Sequence, residues 1–149
     1  MFLSLLSKEE KFHFIDLLTK VVSIDGEVNE IELQVVNRLK FEMGEDVLKY
    51  KKSNKTLEEL IEYFMEKNKA TKNLVFMNLV NASLYDDWYN VEEHFLIEEI
   101  QKAFKISAKK KSELMKIVYA ERDLREKAKR VISEWKYKNL FLIQIRYFI

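Results

Sequence analysis

The chain has 149 residues, 48% of them apolar or aromatic and 34% charged, with 26 Lys/Arg against 25 Asp/Glu and a net charge of +1. That is enough apolar material for one domain with a real core, and the mixed charge is that of a soluble globular chain. Cysteine is absent, which excludes disulfides, thiolate zinc sites and cysteine nucleophiles; a reducing, cytoplasmic location is expected.

The opening "MFLSLLSKEEK" lacks a basic stretch ahead of its few apolar residues, so it is a poor signal peptide. Proline is absent and glycine occurs only at Gly26 and Gly44. With so few breakers, long helices are expected. The apolar spacing agrees. Phe12, Ile15, Leu18 and Val22 form a first stripe, and Ile31, Val35, Leu39 and Met43 a second with i, i+4 steps. Leu57, Ile61, Phe64 and Met65 form a third, then Leu74, Met77, Val80 and Leu84 a fourth. Phe95, Leu96, Ile100 and Phe104 follow, and Leu114, Ile117, Val118, Leu124, Ala128, Val131 and Trp135 continue the pattern.

Start signals stand where these stripes begin. Ser7 with Glu10, Asn29 with Glu32, Thr56 with Glu59 and Asn90 with Glu93 each place a capping residue three before a carboxylate. Such a pair satisfies two backbone amides that a helix N-terminus leaves open. Ser107 is a candidate cap for the last helix. The spacing predicts helices near 8–23, 30–43, 46–52, 57–67, 70–84, 91–104 and 108–136: an all-α, single-domain bundle of about seven helices over 1–149. The end "NLFLIQIRYFI" alternates like a strand, yet no second strand exists to pair with it, so a helix or an apolar tail laid across the bundle is expected.

A repeat runs through the first two thirds. Asp25 set on Asp86 aligns Asn29 with Asn90 and Glu32 with Glu93 without a gap, so both stretches read Asp-x-x-x-Asn-x-x-Glu. The flanks match in kind: Ile15 with Phe76, Leu18 with Leu79, Val36 with Ile97, Leu39 with Ile100. Duplication of a helix-corner-helix unit explains this better than chance. Gly26 is expected to stop the first helix, and Asp87 takes its place in the second copy. Capping accounts for Asn29, Glu32, Asn90 and Glu93. It does not account for Asp25 and Asp86, which face the negative end of a helix dipole.

These acids are the candidate site. Asp25, Glu32, Asp86 and Glu93, with Glu27 and Asp87 nearby, offer hard oxygen ligands suited to calcium, magnesium or manganese if the two units bring them together. The competing reading is capping plus solvated acids. His94 is a candidate nitrogen ligand at the second corner, though such a residue is more often simply half-exposed. The EF-hand loop, the phosphate loop and the serine-hydrolase elbow are all missing, so no catalytic residues are assigned and an enzyme is not expected.

Charge is divided along the chain. Residues 1–104 hold 13 Lys/Arg and 20 Asp/Glu, or −7; residues 105–149 hold 13 and 5, or +8. The basic half is interleaved with acids, so nucleic acid is not the expected partner. A protein partner is expected, with peripheral association at anionic lipid as a further option for "KISAKKKSELMK" and "ERDLREKAKR". Trp88 and Tyr89 in the second corner are candidates for core plugs or a partner contact.

"LLTKVVSIDGEVNEIELQVVNRL" and "MNLVNASLYDDWYNVEEHFLIEEIQKAFKIS" together resemble the tellurite-resistance TerB-like family, which includes the DjlA N-terminal domain. The likeness spans about residues 7–120. The second corner departs from the family's Asp-Gly, reading Asp86-Asp87-Trp88-Tyr89. The resemblance implies two pseudo-symmetric helical units, an acidic surface site for a divalent metal, and a non-enzymatic role in bacterial stress response through protein partners, often near the membrane. The alternative is an interaction or scaffold module whose acids only cap helices. A weaker one is a metal-dependent hydrolase using the same carboxylates.

Overall fold

The computed structural model describes residues 1–24, 26, 30–84 and 91–133, and the side chain of Ile31 is not among the parts described. These residues form seven α-helices with no strand among them: α1 Lys8–Val22, α2 Glu30–Met43, α3 Glu45–Leu48, α4 Leu57–Met65, α5 Lys69–Ser83, α6 Val91–Ala103 and α7 Ala108–Ile132. A 3-10 turn, Leu3–Leu5, precedes them. The fold is all-α, as the apolar spacing requires. No helix among the described residues is long and apolar enough to cross a membrane. The expectations for Trp88, Tyr89 and the apolar end lie outside the described residues.

The chain divides into two compact units, Met1–Lys111 and Ser112 onward. In the first, α1 packs against each of α2, α3, α4, α5 and α6. It buries eight of its fifteen residues, including Phe14, Ile15, Leu17, Leu18, Val21 and Val22. Phe64 of α4, Phe76 of α5 and Phe104 after α6 complete the aromatic core, each at most 2% exposed. Burying such a ring stabilises the fold by about 1.5–3 kcal/mol. In the second unit, Val118 and Arg125 mark the covered side of α7, and Glu121 bonds Arg125 from one turn earlier at 3.4 Å.

Capping follows the sequence signals wherever they are described. Ser7 and Glu10 form the full reciprocal box, with bonds of 3.2 and 2.8 Å. Thr56 accepts from the Glu59 amide at 3.2 Å, and Ser107 from the Lys110 amide at 3.1 Å. Asn68 adds a cap that the sequence pattern did not single out, accepting from the Thr71 amide at 2.8 Å. One helix departs from expectation. The stretch near 46–52 is helical only over Glu45–Leu48, because the chain after it leaves to bond α1.

The repeat is visible in the element boundaries. Shifting α1 by 61 residues places Lys8 on Lys69 and Val22 on Ser83, the two ends of α5. The same shift places the cap Ser7 on the cap Asn68, and Glu30 on Val91 at the starts of α2 and α6. Leu18 and Leu79, Val36 and Ile97, and Leu39 and Ile100 are buried in pairs, as are Met43 and Phe104. The stops agree too: Gly44 has φ +109° and Lys105, 61 residues on, has φ +55°. Each second helix thus ends on a backbone bent to positive φ, which suits glycine and costs lysine.

That difference is testable. Lys105→Gly should stabilise the protein by about 0.5–1 kcal/mol, and Gly44→Ala should destabilise it by about 1 kcal/mol. Urea unfolding of both variants measures this. A destabilised Lys105→Gly would show that the lysine side chain matters more than its backbone strain.

Candidate functional site

Two of the groups of polar residues buried inside the first unit bear on function. The first belongs to the helix corners. Glu32 and Glu93 are both third residues of their helices, one repeat apart, and they are only 7% and 5% exposed. Glu59 occupies the same place in α4 and is exposed, while Glu10 in α1 is half-buried. The two repeat carboxylates are therefore sunk more deeply than a surface capping pair requires. Acidic side chains are rarely buried so far unless partnered, and both have partners in the fold.

Asp25 and Asp86 lie outside the described residues, as do Asn29, Asn90, Glu27 and Asp87. Among the described residues no three His, Asp or Glu side chains come together as a metal group. The first helix ends at Val22 with Ser23 as its C-cap, and Gly26, with φ +139°, lies in the turn beyond, its amide donating to the Ser23 carbonyl at 3.0 Å. Behind each corner, serine and threonine hydroxyls bond back along the helix: Thr19 to Ile15 and Ser23 to Thr19 in α1, Ser83 to Leu79 in α5. His94 stands half-exposed beside Glu98, with Nε2 3.0 Å from its carboxylate.

The second group went unassigned in the sequence. Asp16 is 3% exposed, set between Ile15 and Leu17 in the most buried helix. Its carboxylate accepts from the Tyr50 hydroxyl at 2.7 Å, the Ser53 hydroxyl at 2.6 Å and the Ser53 amide at 3.4 Å. One turn earlier Phe12 stacks on Tyr50 with ring centroids 4.3 Å apart. His13, 7% exposed, lies parallel to Tyr63 at 3.5 Å. Its Nδ1 is 2.8 Å from the Glu9 carbonyl and its Nε2 is 2.6 Å from Lys55 Nζ. A carbonyl only accepts, so Nδ1 carries the proton and Nε2 accepts from the lysine.

One face of α1 (Phe12, His13 and Asp16) thus straps down the segment between α3 and α4 through Tyr50, Ser53 and Lys55. The repeat positions of that face in α5 are Asn73, Leu74 and Met77, which carry neither the imidazole nor the carboxylate. The strap is a device of the first copy alone, holding the connection between the two copies. A charged residue inside the run "FHFIDLL" was the signal for it.

Burial pushes the Tyr50 phenol above its ordinary range, and the hydrogen bond to Asp16 adds to the effect. Tyr63 is raised chiefly by burial as well. A phenol whose folded value is raised stabilises the fold below its unfolded value, about 10, and loses that contribution as pH climbs through the folded value.

Comparison with protein-family models, curated proteins and solved structures finds no match.

Two outcomes follow from the strap. Asp16→Ala, which strands the Tyr50 and Ser53 donors, should cost about 2–4 kcal/mol in chemical unfolding, and Tyr50→Phe about 1 kcal/mol. A loss below about 0.5 kcal/mol for Asp16→Ala would mean the strap carries no stability. Above about pH 10 the wild type should lose stability more steeply than Tyr50→Phe. Parallel thermal-melting curves for the two proteins from neutral to alkaline pH would remove Tyr50 from that account.

Proposed function

We propose that the protein is a non-enzymatic helical module of TerB-like type, binding a divalent cation at its acidic helix corners in a bacterial stress response. Asp25 and Glu32 in the first corner, and Asp86 and Glu93 in the second, are the ligands of this reading. The observation that carries it is the register of the repeat. Two helix-corner-helix units agree in their starts, stops and core positions, and both sink a glutamate at the third position of the second helix. A carboxylate donor set suits hard cations: calcium, magnesium or manganese. A bound cation would also offset the unfavourable placement of Asp25 and Asp86 near helix C-termini.

A second reading keeps the fold and drops the metal. Glu32 and Glu93 have partners within the protein, which favours a scaffold that meets protein partners while its acids serve only the helix starts. Calorimetric titration with calcium, magnesium, manganese and zinc separates the two. The metal reading expects a saturable heat with at least one hard cation, lost in an Asp25→Ala, Asp86→Ala double variant. No heat, or equal heat from both proteins, leaves the scaffold reading.

A further inference from the structure

Two exposed helix faces carry charge of opposite dominant sign. On α7, Ile117, Leu124 and Val131 are 49%, 67% and 54% exposed and recur every seventh residue, so they line one side of the helix. Lys116, Lys127 and Arg130, all exposed, stand beside that line, with the exposed acids Glu113 and Asp123 interspersed. On α4, Met65 is 42% exposed. Beside it run Glu58, Glu62 and Glu66, spaced by four and all exposed. Like charges at that spacing cost a helix a few tenths of a kcal/mol per pair, a cost that a basic counter-surface reverses.

The α7 face is an apolar ridge beside mainly basic charge, the α4 face a single exposed methionine beside three acids, and the charges are complementary. The chain's charge is divided in the same sense, −7 over residues 1–104 and +8 over 105–149. We propose that the Ile117–Leu124–Val131 ridge of one copy docks on the Met65 and Glu58–Glu62–Glu66 face of a second copy, head to tail. An anionic membrane would answer the α7 ridge but leave the acidic α4 face without a counterpart. A second copy answers both. Apolar centres with charged rims of opposite sign give register and a fast, salt-sensitive association. The contact joins unlike faces, so it is heterologous.

Sedimentation velocity in chelator-containing buffer tests this without involving the acidic corners. At about 20 mM salt the wild type should shift above the monomer value as concentration rises, and at about 0.5 M salt it should return to monomer. Glu58→Lys with Glu62→Lys, and Lys116→Glu with Lys127→Glu, alter only exposed side chains. Each double variant, with wild-type circular dichroism, should stay monomeric alone. An equimolar mixture of the two should associate again, because one supplies an intact α7 ridge and the other an intact α4 face. A wild type that is monomeric throughout, either variant associating alone like wild type, or a mixture that stays monomeric overturns the proposal. A monomeric wild type that co-sediments with phosphatidylglycerol vesicles but not with phosphatidylcholine vesicles overturns it in favour of lipid.

Discussion

Helix α1 sets the terms for the rest of the first unit. It packs against all five of the helices that follow it there, so it must present apolar surface in nearly every direction. Yet it buries His13 and Asp16 in the same turn-and-a-half. A buried carboxylate without donors would cost several kcal/mol, more than one core phenylalanine contributes. The donors come from Tyr50 and Ser53, and the imidazole takes its hydrogen bond from Lys55. Those three residues lie in the connection between α3 and α4. The polar groups of α1 therefore fix the path of the chain between the two copies of the repeat, and α3 ends after one turn because that path begins there.

The two copies share a frame and differ in what hangs on it. Core positions, first-helix caps, helix starts and positive-φ stops coincide after a shift of 61 residues. Within that frame, Leu74 and Met77 stand where the first copy has His13 and Asp16, so the second copy has packing where the first has the strap. Glu32 and Glu93 are the polar feature that both copies bury. The functional reading rests on that shared feature, and the strap belongs to the first copy alone.

The helices were legible because the means that form them are local. Apolar residues three and four apart, Ser and Thr three before Glu, and two glycines among 149 residues all act within a turn or two. The boundaries of α1, α2, α5 and α6 fall within one residue of those read from spacing. The short α3 was not legible, since its end is set by hydrogen bonds to Asp16 more than thirty residues away. Asn68 went unread because no carboxylate follows it three residues on; Thr71 stands there instead. Of the candidate site, the sequence supplied the residues and their register. The depth of Glu32 and Glu93 depends on how α1, α2, α5 and α6 pack, which no local pattern specifies.

Cation binding at the two corners, and not at the exposed acids elsewhere, is what the proposed function requires. Manganese broadens the amide resonances nearest to it, so titrating it into nitrogen-15-labelled protein and following each amide tests the claim directly. Residues 30–33 and 91–94, the first turns of α2 and α6, should broaden first and together. Broadening that starts along the Glu58–Glu66 face of α4, or that spreads evenly over the acidic surface, would contradict it.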